Sequence, residues 1–123
     1  IPKEFVMSTS NYPWQNPVEE TDSYKVYLDI YAVTPGHALF IPTAPQSHEQ
    51  LLKCYDAAEK YGQALVAAGK ADGFNVGRYE GAPAGQTVFW PHIHCIPRRH
   101  GDMEDPRGGV RHVIPERGNY KLW

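Results

Sequence analysis

The stretch Gln86-Thr87-Val88-Phe89-Trp90-Pro91-His92-Ile93-His94-Cys95-Ile96-Pro97-Arg98 carries the strongest strand signal in the chain and its most closely spaced histidines. Its β-branched and aromatic residues predict a strand from Thr87 to Ile96, closed by Pro97. Alternate residues of a strand share a face, so His92 and His94 point the same way, about 6 to 7 Å apart along the chain. Ile93 and Cys95 then point to the opposite face, which reads as core. One side of the strand therefore carries paired imidazoles and the other carries packing. Imidazole titrates near neutral pH, so one ring can act as nucleophile or base while its neighbour donates a proton or a hydrogen bond.

Outward from this strand, Gly81-Ala82-Pro83-Ala84-Gly85 reads as a loop that lets a backbone approach a ligand closely. Gln86 and Thr87 follow it with side-chain donors, and such groups can hold phosphate oxygens without a formal positive charge. Phe74 to Tyr79 reads as a further strand. Before it, Ser47 and Gln50 form a capping-box pattern that opens a helix, and Gly69 is placed to stop it. Leu51, Leu52, Tyr55, Ala58, Gly62, Leu65 and Val66 supply the expected apolar stripe of that helix. Glu49, Lys53, Asp56, Glu59 and Lys60 supply its wet face. His37 to Ile41, after the Pro35-Gly36 turn, and Asp22 to Asp29, with Tyr24, Val26 and Leu28 alternating, read as two more strands. The order β-β-α-β-β predicts an α+β domain, an antiparallel sheet with one main helix. Residues 1–21 form a polar arm broken by prolines, expected to pack on the domain or on a partner. Residues 22–98 form the core, and 99–123 a tail with one short strand at Val110 to Ile114.

Composition bounds the function. A chain of 123 residues with 41% hydrophobic and 21% charged residues buries a single core. Its net charge of -2 lacks the basic excess of a nucleic-acid backbone binder, yet leaves room for one small anion. No apolar run approaches the roughly 20 residues of a membrane span, and no signal-peptide pattern is present. The two cysteines, Cys54 and Cys95, are too few for a disulfide scaffold and read as reduced, buried thiols, pointing to a cytoplasmic setting. Three readings of the histidines stay open on residue type alone: catalysis, a metal site, or ordinary structural side chains. A zinc site at His92 and His94 would need a third and a fourth ligand. His37, His48, His100, His112 and the cysteines are candidates, none at a metal-ligand spacing. Arg98 and Arg99 are candidates to attract a polyphosphate, or solvated surface cations.

At Gln86 to Arg98 the chain resembles the histidine-triad family, whose signature is His-φ-His-φ-His-φ-φ with φ apolar. Leu28-Asp29-Ile30 through Pro35-Gly36-His37-Ala38-Leu39-Phe40-Ile41-Pro42 is similar to an earlier block of that family. Asp72 to Gly77 and Glu80 to Gly85 resemble the strand and loop before the triad, and Asp105 to Arg111 a tail of its bacterial branch. The likeness covers Tyr24 to Tyr120.

The resemblance implies a sheet of about five strands, joined across a homodimer, and a nucleoside phosphate ligand such as AMP. It implies that His92 attacks the α-phosphorus to form a nucleotidyl-histidine, and that His94 contacts the phosphate and the leaving group. By the same likeness Gln86 and Thr87 bind phosphate oxygens, Asp29 the ribose, Ile30 the base, and His37 supports the triad. Two positions depart from the pattern. The first triad position is Trp90, followed by Pro91, an order similar to the galactose-1-phosphate uridylyltransferase branch. Tyr79 stands where many members carry Asn or Gln near the phosphates. Trp90 retains a backbone carbonyl, so the tautomer of His92 can still be set. The expectation is a hydrolase or nucleotidyltransferase cleaving a phosphoric anhydride or phosphoramidate, requiring no cofactor, with a divalent metal compatible but not implied. The alternatives are a weakly catalytic nucleotide-binding module and a histidine metal site. Tyr120 and Trp123 are expected either to cover a dimer partner's site or to pack locally.

Overall fold

The computed structural model describes residues 11–121; Trp123, the last residue of the expected tail, lies outside them. Five strands form one antiparallel sheet: β1 (Glu19–Glu20), β2 (Tyr24–Leu28), β3 (Ala38–Pro42), β4 (Gly73–Gly77) and β5 (Ile93–Arg98). Their spatial order is β1-β2-β3-β5-β4, so β4 is an edge and β3 and β5 are central. One long helix, α1 (His48–Ala67), joins β3 to β4. The expected α+β architecture is present, with one strand more than the β-β-α-β-β order, because Glu19 and Glu20 pair with Lys25 and Val26.

Ser47 caps α1 by accepting the Gln50 N–H at 3.1 Å. The Gln50 side chain does not close the box; its Oε1 accepts from Ala44 N and Thr43 Oγ1 instead, tying the helix to the loop before it. At the other end Gly69, at φ +72°, completes a left-handed stop. Gly69 N donates to Val66 O and Lys70 N to Leu65 O, the paired bonds of a Schellman motif.

The helix meets the sheet through Leu51, Cys54, Ala58 and Gly62, which pack with Val26, Ala38, Phe40, Ile93 and Cys95. The expected stripe is thus corrected: Leu52, Tyr55 and Val66 are exposed. Leu52 and Tyr55 each follow a core residue by one position, a turn of about 100° around the axis. Gly62 is required by close approach, since a Cβ there would fall into the Phe74 ring.

The other face of the sheet carries a smaller cluster of Tyr27, Leu39 and Ile41, against which Tyr12, Trp14 and Trp90 pack. β3 is buried throughout because both of its faces are covered. Strand boundaries differ from expectation: β4 runs from Gly73 to Gly77 rather than from Phe74 to Tyr79. β5 starts at Ile93 rather than Thr87, and it runs through Pro97 to Arg98. Before Ile93, Pro91 lacks an N–H, and the carbonyls of Val88 and Trp90 accept side-chain donors instead of a ladder. Pairing with β3 ends at Cys95, so Pro97 stands where β5 is bordered on one side only, and proline is tolerated at such an edge. The expected strand at Val110 to Ile114 is a 3₁₀ turn, Gly109–Val113, entered through Gly108 at φ +103°. Val110 and Val113 face solvent, and among the described residues no strand pairs with this segment.

Candidate active site

The face of β5 opposite the helix looks into a cleft of about 560 Å³. Its walls come from the Pro13–Asn16 segment, the end of β2 and the loop after it, Tyr79, the Gly85–Val88 loop, and His92 and His94. The segregation of β5 is sharp. Ile93 and Cys95 are fully buried on the helix side. His94, and His92 immediately before the strand, have ring centroids 5.1 Å apart on the cleft side.

Register places the second layer of this site. His94 lies opposite Leu39 of β3 and Gly77 of β4. His37, one residue before β3, reaches His94 with an Nε2–Nδ1 distance of 2.9 Å. The backbone N–H of Val33 donates to His37 Nδ1 at 3.1 Å. That nitrogen must therefore be the acceptor, and the neutral His37 ring carries its proton on Nε2. His37 Nε2–H then donates to His94 Nδ1, which leaves the His94 proton on Nε2. His94 Nε2 is buried and has no hydrogen-bond partner among the described residues. An orphaned buried donor costs about 1–3 kcal/mol, which an anionic oxygen arriving there would relieve.

His92 is set the opposite way. Its Nδ1 lies 2.7 Å from the Trp90 carbonyl oxygen, which can only accept. The proton sits on Nδ1, and Nε2 holds the lone pair. The network thus assigns two neighbouring imidazoles opposite roles at Nε2: a base on His92 and a donor on His94. Burial pushes all three histidines down from the usual imidazole pKa. Asp29 opposes that shift at each of them. His94 goes furthest, to about 4, because His92 and His37 add to the effect of burial. The rings are therefore neutral at pH 7, the state in which the tautomers just described hold.

Asp29 closes the chain of contacts. Its Oδ1 accepts the Tyr31 N–H at 2.9 Å and its Oδ2 lies 3.5 Å from His37 Nε2. Tyr79 stacks on His94 with centroids 4.5 Å apart and planes 27° apart. Ile30 lines the cleft and is 87% exposed, so it stands at the rim. Thr87 lines the cleft and is exposed. Gln86 is buried, and its amide shapes the loop: Oε1 accepts from Gly81 N and Nε2 donates to Val88 O. Trp90 gives the site its carbonyl, while its ring leaves the cleft for the cluster below and donates Nε1–H to Pro42 O at 2.9 Å. Arg98 and Arg99 are not at the cleft. Arg98 pairs with Asp102 and Asn75, and Arg99 binds the carbonyls of Lys70 and Pro35.

Asp29, His37 and His94 also bring one ligand atom each within 4.8 Å of one another. A metal-bound histidine donates its other ring N–H to a neighbour, whereas His37 Nδ1 accepts one from Val33. A metal on His37 Nε2 would demand an imidazolate or a broken hydrogen bond, so this trio does not fit a metal as arranged. His92 is outside it, held by Trp90. Cys54 and Cys95 are free thiols on the helix side, pushed up to about 12 and about 11 by burial, and they do not reach the cleft.

The paired imidazoles after a glycine-bounded loop, on the open face of an antiparallel sheet, match a known design. The HIT domain family matches residues 15–101. The chain belongs to the HIT family. Among solved HIT structures it resembles a zinc-bound histidine triad protein of Mycobacterium smegmatis, with a TM-score of 0.67, 28% identity, and coverage of 83% of this chain and 78% of that one. An asymmetrical bis(5'-nucleosyl)-tetraphosphatase of Schizosaccharomyces pombe is 29% identical over 64% of this chain and 47% of its own length. An adenylylsulfatase of Arabidopsis thaliana is 33% identical over 68% of this chain and 45% of its own. The chain spans only part of the length of the curated HIT relatives it matches, 47%, 62% and 60% for three of them.

Sequence reasoning did not find the arm as a wall of this HIT site. Pro13, Trp14, Gln15 and Asn16 line the cleft. The available signal was Trp14 itself, a large aromatic in an otherwise polar, proline-broken segment, which needs something to pack on.

Proposed function

We propose that this HIT protein is a nucleotide hydrolase or nucleotidyltransferase that forms a nucleotidyl-histidine on His92. One observation carries the reading: His92 Nδ1 rests on the Trp90 carbonyl, which assigns the lone pair to Nε2, while the adjacent His94 takes a hydrogen bond at Nδ1 and leaves its Nε2 unpartnered. A nucleophile and an anion-binding donor side by side suit a phosphoryl centre. In the proposed reaction the His92 Nε2 lone pair forms a bond to the α-phosphorus, and the bond from phosphorus to the leaving group breaks. Throughout, Nδ1–H stays on the Trp90 carbonyl and holds the charge of the substituted ring, with Asp29 nearby. Water or another acceptor then takes the nucleotidyl group and restores His92. Asp29 and Ile30 are assigned to ribose and base, Thr87 and the Gln86 backbone to phosphate oxygens, and Tyr79, stacked on His94, to the neighbourhood of the phosphates.

The proton chain favours one leaving group. His94 cannot release its Nε2 proton without drawing on His37, whose Nδ1 already accepts from Val33. The chain offers a hydrogen bond and no spare proton. A polyphosphate or sulfate departs without protonation, whereas an amine does not, so phosphoric anhydrides are the preferred class over phosphoramidates. The tetraphosphatase and adenylylsulfatase activities named for the two relatives are of the favoured kind.

Dimerisation belongs to the same reading. The outer edge of β4 has no partner strand among the described residues, and Leu52, Tyr55 and Val66 are exposed on α1, features suited to a joined sheet in a homodimer. Free buried cysteines suit a cytoplasmic location.

Release of AMP from a dinucleoside polyphosphate and from an adenosine phosphoramidate tests the function. The anhydride is expected to be cleaved faster, and His92→Ala to abolish both reactions. If His92→Ala releases AMP at the parent's rate, the mechanism is wrong. AMP binding by calorimetry without turnover of any such substrate would favour the weakly catalytic binding module.

A further inference from the structure

His92 is held at one atom by the strand scaffold, through its bond to the Trp90 carbonyl. A ring held by one hydrogen bond can still rock about it, and a nucleophile needs its lone pair aimed along one line. The His94 ring flanks it on the cleft side, with centroids 5.1 Å apart, and the remaining ring contact comes from outside the scaffold. Trp14 packs on the imidazole, with centroids 4.9 Å apart and planes 62° apart. Trp14 is placed there by Tyr12, whose ring lies 5.0 Å from Trp14 and 4.8 Å from Trp90 in near-perpendicular contacts. The Tyr12 hydroxyl is hydrogen-bonded to that of Tyr27 at 2.7 Å. Just past Trp14 the chain bends through Asn16 at φ +63°, a left-handed conformation that asparagine tolerates better than most residues. The arm is thus fixed from both sides at the lip of the cleft.

We propose that Trp14 is a positioning residue for His92, and that the Trp90 side chain serves the site by anchoring the arm that carries Trp14. The inference rests on the nucleotidyl-histidine reading for its kinetic consequence only. Trp90 acts on His92 twice: its carbonyl fixes the tautomer, and its ring, through Tyr12, supplies the wall that stops the imidazole from rocking. The bulk at the first triad position replaces a missing imidazole with a clamp. His94, Asp29 and Arg78 are the titratable groups that act on His92.

The test uses Trp14→Ala and Trp14→Phe in the full chain, read two ways. Steady-state kinetics on a dinucleoside polyphosphate should show kcat lowered about 10 to 100-fold in Trp14→Ala, the range typical of lost supporting contacts, with KM changed far less. Trp14→Phe, which keeps an aromatic wall and should keep the arm seated, should recover most of the loss. Independently of substrate, ¹⁵N-imidazole spectra at pH 8 should show the same lone-pair Nε2 signal for His92 in parent and Trp14→Ala, because the Trp90 carbonyl remains, while imidazole relaxation should report a rigid ring in the parent and a rocking one in Trp14→Ala. Adding Trp90→Phe to Trp14→Ala should cost little more, because both act through one contact. A parent that turns nothing over but whose His92 ring gains mobility in Trp14→Ala upholds the positioning role and sinks the catalytic reading. Unchanged ring relaxation, or an active Trp14→Ala with kcat within twofold of the parent, overturns the positioning role.

Discussion

The two faces of β5 are made of neighbouring residues and obey opposite rules. On the helix side Ile93 and Cys95 are fully buried among Leu51, Cys54, Ala58 and Phe40, and nothing there carries charge or an open hydrogen bond. On the cleft side His92 and His94 are wired to Trp90, His37 and Asp29, and one donor is left orphaned. The dry face fixes where the strand lies. The wet face uses that rigidity to hold an arrangement that does not satisfy itself. Stability should therefore be concentrated on one side of a single strand and chemistry on the other.

Substitutions should separate the two. The largest effect is expected for His92→Ala, which removes the nucleophile and should lower turnover by ~10⁴-fold or more while leaving thermal stability near the parent's. On the opposite face Ile93→Ala should cost about 2–5 kcal/mol of stability, measured by denaturant unfolding, with the residual folded protein still active. A comparable loss of activity in that variant would break the separation. His37→Leu deletes the donor that fixes the His94 tautomer. It should lower kcat about 10 to 100-fold and add a second proton position on His94, visible by ¹⁵N spectroscopy. Trp90→Phe keeps the carbonyl and loses the ring's bond to Pro42, so it should cost about 1 kcal/mol of stability and less activity than His37→Leu.

The smallest effect is the pH response. Burial lowers the folded pKa of His37, His92 and His94, so the unfolded chain binds more protons in the window from about 6.5 down to the folded values. Their contribution to stability is present above about 6.5 and is lost as pH falls through the folded values, about 4 for His94. The acid limb of kcat/KM should likewise lie below the ordinary imidazole range. A limb at or above about 6.5 would mean that His92 is not desolvated.

Much of this was legible in the chain. Period-two alternation in His92-Ile93-His94-Cys95 separated site from core without any coordinates. Ser47 and Gly69 marked the helix, because caps are local chemistry. The boundaries of β5 were not legible, since they depend on where β3 and β4 stop offering partners. The rotation of α1 was misread because Leu52 and Tyr55 are as apolar as Leu51 and Cys54, and only the sheet decides which set it covers. The pairing of His37 with His94 joins residues 57 apart in sequence. Its direction is set by a backbone N–H that no side-chain pattern encodes. The arm wall was hidden for the same reason: Trp14 meets His92 only after Tyr12, Tyr27 and Trp90 have packed.

The central claim is that the two imidazoles hold opposite protons at Nε2, and that His92 is the one that makes a bond. Rapid quenching into alkali during turnover of a dinucleoside polyphosphate, followed by mass spectrometry of the tryptic peptide from Tyr79 to Arg98, reads it directly. The predicted result is an alkali-stable, acid-labile nucleotidyl group on His92 Nε2, accumulating in His94→Ala or His37→Leu no faster than in the parent. A nucleotidyl group on His94, or turnover with no adduct on this peptide at any time, would contradict it.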